Sequence, residues 1–161
     1  MARLEAKPNF TPPHLEDVMP RRKSRREEEA LAKTVRDRSR ALKKLPEHLQ
    51  KIFETDLEGT RSSDFDTWRR KVYAEITEAA ETTLDMRFSL RGNERADCPL
   101  CGRGAADRSL DTVGWRVPTG LMWHLEGKGR ASKCEVMEVI ESPLRFRVRQ
   151  ANFARSLGWE D

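Results

Sequence analysis

The chain has 161 residues, of which 37% are hydrophobic and 36% are charged, so its apolar side chains can form one modest core. No apolar run approaches the roughly 18–20 residues that a membrane-spanning helix requires, and residues 1–10 lack the apolar segment of a secretory signal. Three cysteines are a poor basis for disulfides, and the Cys-x-x-Cys pair among them favours a reducing compartment and a metal. We therefore expect a cytoplasmic protein that makes no membrane contact.

The charge is unevenly distributed along the chain. Residues 1–45 carry 13 basic and 7 acidic side chains, whereas residues 46–84 carry 5 and 9. Arginine outnumbers lysine by 22 to 9, and its planar guanidinium group suits bidentate contacts to phosphate or carboxylate. A biased overall composition explains the arginine content as well as an acidic partner does, so both explanations stay open.

An arm and a first helix are predicted at the start of the chain. Residues 1–20 hold four of the eight prolines and show no sustained periodicity, which predicts a flexible Pro-rich arm. A helical region with a basic first helix is predicted over residues 21–90. This helix should begin after Ser24, because Glu27 completes a capping-box pattern three residues later. Its thin apolar stripe consists of Leu31, Val35, Leu42 and Leu45, and Pro46 ends it or starts the next helix.

Two further helices are predicted in the helical region. A short amphipathic helix that stops at Gly59 is indicated by Leu49, Ile52, Phe53 and Leu57. Ser63 with Asp66 predicts the cap of a third helix at about 64–84. Its apolar stripe is the strongest in the chain and consists of Phe65, Trp68, Val72, Ile76 and Ala79. Three such stripes can bury one another, so we expect a mainly α fold, a small helical bundle with a separate C-terminal module appended to it.

The C-terminal part is predicted as that module, residues 91–142, followed by a C-terminal helix or tail, residues 143–161. A short helix should follow Cys134, and Ser142-Pro143 is typical of a new N-cap and first-turn proline. The stretch 144–149, L-R-F-R-V-R, alternates like a strand. Its flanking cap and the following A-N-F-A-R-S-L-G favour a helix that ends at Gly158, and we prefer the helix.

A metal site is predicted from the cysteines and one histidine. Cys98 and Cys101 form a knuckle in D-C-P-L-C-G, which is half of a site. His124 and Cys134 complete the pattern C-x2-C-x22-H-x9-C, and four ligands of these types match a tetrahedral structural Zn²⁺ site. The alternative is three unrelated buried cysteines and one core histidine. The other two histidines, His14 and His48, lie in polar surroundings and are expected to be solvated.

The local pattern resembles the ββα zinc fingers over residues 96–136. Leu121 precedes His124 by three residues, as the core leucine does in those fingers, and C-P-L-C-G resembles their first hairpin. The chain departs from the family in a longer hairpin and in a fourth ligand, Cys134, that lies beyond G-K-G-R. The resemblance therefore implies a variant C2HC-type finger with a short β-hairpin, a helix and bound zinc.

Catalysis is not expected at this site. A catalytic zinc keeps an open position for water, whereas four protein ligands close the shell. The nearest enzyme pattern is that of the zinc deaminases, H-x-E followed by P-C-x-x-C. The chain departs from it because Pro99 lies inside the cysteine pair and its H-x-E triplet, at 124–126, follows the cysteines. No phosphate-binding or nucleophile motif occurs, so we expect a protein that is not an enzyme and has no small-molecule substrate.

Nucleic-acid binding is predicted from the basic first helix and the arm rather than from the finger helix. Val117, Pro118 and Thr119 cannot make bidentate contacts to base edges. Phosphate contacts are instead assigned to a basic set that begins at R-R-K-S-R-R: Arg21, Arg22, Lys23, Arg25, Arg26, Arg36 and Arg40. A second basic patch could come from Arg145, Arg147 and Arg149. The alternative is a solvated helix face that glutamates partly neutralise.

The predicted function is that of a zinc-binding regulator of nucleic acid or of a machine that handles it. The competing hypothesis is a protein–protein adaptor or inhibitor, with the arm meeting an acidic protein surface. Met122 and Trp123 would then bind the partner, together with the C-terminal N-F-A-R-S-L-G-W surface. These two side chains could equally pack on the protein's own helical bundle.

Overall fold

The structure is a computed structural model that describes residues 24–84, 94–105, 114–129 and 131–158. Most of these residues are helical, which confirms the predicted mainly α fold. The helices are α1 (Arg25–Lys43), α2 (Glu47–Ile52), α3 (Ser62–Glu78), α4 (Thr119–Glu126) and α5 (Glu135–Ser156). The strands are β1 (Thr83–Leu84), β2 (Glu94–Ala96) and β3 (Trp115–Arg116). None of these helices is long and apolar enough to cross a membrane. The Pro-rich arm lies outside the described residues.

Helix α1 begins as predicted. The Ser24 hydroxyl accepts a hydrogen bond from the Glu27 amide at 3.3 Å, and the Glu27 carboxylate accepts one from the Ser24 amide at 3.0 Å. This capping box satisfies two donors that the helix itself leaves unpaired. The helix packs along α5 and contains no fully buried residue. One side of α1 therefore contacts the core while the rest of the helix faces solvent.

The predicted bounds of α2 and α3 need correction. Helix α2 ends at Ile52 rather than at Gly59. Helix α3 begins at Ser62, because the Asp64 carboxylate accepts from the Arg61 amide at 2.9 Å. The predicted Ser63–Asp66 cap is thus wrong, since Ser63 already lies in the first turn. The α3 stripe is confirmed, and four of its five predicted residues are buried: Phe65, Trp68, Val72 and Ile76.

Helix α5 is one continuous helix of 22 residues with Pro143 in its interior. The predicted helix start at Ser142-Pro143 is therefore wrong, and the helix assigned to 144–149 is confirmed. Proline removes one amide donor from a helix and disfavours its interior. The helix continues because its buried stripe runs through the proline at spacings of three and four: Met137, Ile140, Leu144 and Val148. Tertiary packing outweighs the local preference here. The boundary between the predicted domains at 142/143 falls inside this helix, and the division into domains stays a prediction.

The three strands form one small antiparallel sheet in the order β1-β2-β3. Thr83 pairs with Arg95 across β1 and β2, and Ala96 pairs with Trp115 across β2 and β3. The predicted hairpin is the β2–β3 pair, and β1 was not predicted. Strand β2 leads directly into Cys98, so the sheet positions the first cysteine.

A buried carboxylate joins α3 to α5. Glu141 is fully buried and accepts hydrogen bonds from Arg69 Nε and Arg145 Nε, each at 2.9 Å, and from the Tyr73 hydroxyl. The Tyr73 oxygen also lies 3.3 Å from the carbonyl oxygen of Leu125 in α4. Burial, followed by the Glu141 carboxylate, raises the pKa of Tyr73 well above its ordinary value, so its hydroxyl keeps its proton. This cluster connects the helical region to the helix that carries His124.

Candidate metal centre

All four predicted ligands meet at one point. The ligand atoms of Cys98, Cys101, His124 and Cys134 lie within 4.8 Å of one another. Cys98, His124 and Cys134 are buried, and Cys101 is half-buried. Three separate segments supply these residues, because the knuckle follows β2, His124 lies in α4 and Cys134 is the N-cap of α5.

Two of the distances between ligand atoms match those expected around a tetrahedral zinc ion. Zn–S bonds of about 2.3 Å separate two sulfurs of a tetrahedron by about 3.8 Å. The Sγ atoms of Cys98 and Cys134 are 3.8 Å apart. A zinc-bound nitrogen and sulfur are expected at roughly 3.5 Å, and Cys101 Sγ lies 3.3 Å from His124 Nε2. The donor set of three sulfurs and one imidazole suits Zn²⁺ in both chemistry and size.

Backbone hydrogen bonds shape the cysteine knuckle. The Cys98 amide donates to the Arg103 carbonyl at 3.0 Å, and the Gly102 amide donates to the Cys98 carbonyl at 2.8 Å. Gly102 has a φ of 67°, a left-handed conformation that glycine adopts without strain. This turn brings Cys101 back towards Cys98, which explains why glycine follows the pair.

The His124 ring is held in one tautomer. Its Nδ1 contacts the Ser132 carbonyl oxygen, and since a carbonyl only accepts, Nδ1 must donate. The lone pair is then on Nε2, which points to Cys101 and is free to bind a metal. The Trp115 ring stacks on the imidazole with centroids 4.5 Å apart. Sequence reasoning missed both supports, although Trp115 lies close to the predicted finger helix.

Cys134 links the metal centre to the longest helix. Its amide donates to the His124 carbonyl at 2.9 Å, which ties the start of α5 to the end of α4. Its thiolate would lie at the positive end of the α5 dipole. A hydrogen bond from the Cys98 thiol lowers the pKa of Cys134 to about 6, although burial opposes the shift. The same hydrogen bond between the two thiols, followed by burial, raises the pKa of Cys98.

The other predicted site residues are distributed over the surface. Arg25, Arg26, Arg36 and Arg40 are exposed on α1, and Arg21, Arg22 and Lys23 lie outside the described residues. Of the second basic patch, Arg145 is committed to Glu141, whereas Arg147 and Arg149 are exposed. Met122 is half-buried, and 49% of Trp123 is exposed, so Trp123 does not disappear into the protein's own core. His48 is exposed as expected, and His14 is outside the described residues.

Comparisons with known proteins do not assign the chain to a family. Neither a protein-family model, nor a curated protein, nor a solved structure matches it. The role of the site must therefore be inferred from its geometry. That geometry shows a Cys3His group able to hold a metal ion, in a mainly helical chain with a small antiparallel sheet.

Proposed function

We propose that the four residues bind one structural Zn²⁺ ion in a variant C2HC-type finger. The ion would join the knuckle after β2 to α4 and to the first residue of α5. Four protein ligands leave no position for a reactive water, and three of the four are buried. Glu126, the acid of the H-x-E triplet, is paired with Lys128 at 2.7 Å and is not a ligand in this group. This arrangement supports a structural role for the metal. It also supports a protein that is not an enzyme.

We further propose that the exposed face of α1 binds nucleic-acid phosphates. The observation that carries this proposal is a basic stripe at spacings of three, four and four, all of it exposed: Lys33, Arg36, Arg40 and Lys44. Residues at these spacings share one face of a helix. Of these four residues only Arg40 has an acidic partner among the described residues, Asp37 at 3.7 Å, and this exposed pair is weak. The stripe extends for about 16 Å along the C-terminal half of α1, which is long enough to contact several phosphates.

Phosphate binding predicts a salt dependence that mutation should reduce. Each lost phosphate contact should lower the slope of log K against log salt concentration by about 0.9 on duplex DNA. We expect the triple substitution Lys33→Gln, Arg40→Gln and Lys44→Gln to lower that slope by about two to three for random duplex and to weaken binding regardless of sequence. Fluorescence anisotropy over a salt series measures both effects.

A matched control removes three exposed charges elsewhere. Lys51→Gln, Arg70→Gln and Lys71→Gln change the net charge equally but leave the α1 stripe and the second basic patch intact. An equal loss in both triple variants would mean that only net charge matters. No binding of wild type to duplex or single strands at low salt would eliminate the nucleic-acid function.

The second candidate function is a protein adaptor that uses Trp123. This residue is one of the few large apolar side chains exposed in the described chain, since 49% of it is accessible. Half-exposed tryptophans are frequent anchors of protein interfaces. Binding that survives nuclease and high salt but is lost in Trp123→Ala would favour this alternative over phosphate binding.

A further inference from the structure

A second face of α1 is apolar in its middle and oppositely charged at its two ends. Five residues line one shallow surface groove there: Glu28, Leu31, Ala32, Val35 and Arg36. Their spacings of three, one, three and one place them on a single helix face. Leu31 is half-buried, and 39% of Val35 is exposed. The face therefore offers a short apolar strip between an acidic and a basic residue.

The two end charges have no partner among the residues that the structure describes. In the described residues neither Glu28 nor Arg36 is in an ion pair or a side-chain hydrogen bond, unlike Glu29, which binds Arg25 at 2.8 Å. Eight residues separate Glu28 from Arg36, which is about 12 Å along the helix axis and too far for them to meet. Among the described residues, each charge is therefore left available to a partner from another molecule.

We propose that this face is a homodimer interface in which α1 pairs antiparallel with α1 of a second copy. A two-fold axis near Ala32 places Glu28 of each copy opposite Arg36 of the other, so both charges are matched twice. Parallel pairing would instead oppose Glu28 to Glu28 and Arg36 to Arg36, which is repulsive. The small side chain of Ala32 lies at the crossing point and lets the two backbones approach closely. The face is thus complementary to itself in one orientation only.

The proposed dimer is weak. A stable interface buries more than about 1,000 Å², and one strip on one helix offers only Leu31, Ala32 and Val35 as apolar contacts. We expect association in the micromolar range or weaker and a strong dependence on salt, because the charge pairs lie at the rim. Arg36 belongs both to this face and to the basic stripe, whereas Lys33, Arg40 and Lys44 lie further round α1 and stay accessible in each copy.

Charge reversal tests the proposal on the full, metal-loaded chain without nucleic acid. Sedimentation equilibrium should show a monomer–dimer equilibrium for wild type, and Glu28→Arg or Arg36→Glu should each weaken it by about tenfold or more. Combining both substitutions in one chain should restore the dimer, since the pairs re-form with their signs exchanged. An equimolar mixture of the two single variants should form a heterodimer for the same reason.

Matched controls and contrary results are clear for this face. Glu54→Arg and Lys71→Glu make the same charge changes at exposed positions outside α1 and should leave the dimer unchanged. All these sites are exposed, and circular dichroism should show equal helix content in every variant. A wild-type chain that stays monomeric at the highest attainable concentration overturns the proposal. So does a dimer that withstands the single reversals, or one that the double variant fails to restore.

Discussion

Replacing Cys134 by serine is expected to remove the metal from the purified protein and to unfold the module around it. Structural zinc contributes apparent binding free energies of about 10–16 kcal/mol in finger peptides, so losing one of four ligands removes a large part of the stability. A loss of only about 3 kcal/mol would already lower Tm by about 10 °C in a domain of this size. Elemental analysis together with thermal unfolding by circular dichroism measures both effects.

The neighbouring Glu135→Gln variant is the control for the cysteine substitution. Glu135 is exposed and pairs with Arg103 at 2.9 Å, so its change should spare both the metal and Tm. Chelator added to wild type should reproduce the Cys134→Ser result. If Cys134→Ser instead retained one zinc ion and melted like wild type, Cys134 would not be a ligand. The coordination shell would then be open, and a catalytic zinc would have to be reconsidered.

Neutralising Glu141 is expected to cost about 3 kcal/mol of unfolding free energy while leaving the metal in place. Removing one partner of a buried ion pair typically costs about 3–5 kcal/mol, and the lower end applies because Arg145 keeps access to water. In Glu141→Gln the buried Tyr73 hydroxyl and the Arg69 guanidinium would both lose a charged acceptor. Urea unfolding with a zinc measurement on the same sample tests the two parts separately.

Glu138→Gln is the matched control for the buried carboxylate. Glu138 lies one turn earlier on the same helix and is exposed. Its carboxylate is 3.7 Å from the Lys133 amine, and the same amine lies 4.0 Å from the Glu141 carboxylate. Its neutralisation should change the unfolding free energy by less than about 0.5 kcal/mol. Equal effects of the two substitutions would show that the buried position of Glu141 carries no special weight. Loss of zinc in Glu141→Gln would contradict the separation of the two clusters.

The candidate metal-binding group was predictable because its residue types are scarce. With three cysteines and three histidines in the chain, chemistry and spacing left one plausible set, and the structure brings that set together. The α1 cap was predictable for a related reason, since Ser24 and Glu27 satisfy the backbone locally. The local pattern was misleading at α3. Ser63 and Asp66 match the spacing of a helix cap, whereas the residue that caps this helix is Asp64, whose carboxylate accepts from the Arg61 amide.

Features that depend on distant contacts were not predictable. Glu141 binds Arg69, which is 72 residues away in the sequence, and no local sequence pattern predicts that pair. The burial of Glu141, in contrast to its partner, was indicated by the sequence, because Glu141 falls within the buried stripe of α5 between Ile140 and Leu144. Pro143 predicts a helix start because proline strongly prefers the first turn of a helix. The helix nevertheless runs through Pro143, because buried residues on both sides of it pack against the core. The contact between His124 and the Ser132 carbonyl could not be predicted from the sequence, because it involves a backbone atom and does not depend on the type of residue 132.

Cobalt substitution tests the central claim, a closed tetrahedral site with three sulfurs, most directly. Co²⁺ added to the metal-free full chain should give intense tetrahedral d–d bands and a thiolate charge-transfer band that saturate at one ion per chain. Zn²⁺ should displace it, and added anions should leave the spectrum unchanged, since no coordination position is open. A weak six-coordinate spectrum, or bands that shift when anions are added, would contradict the account.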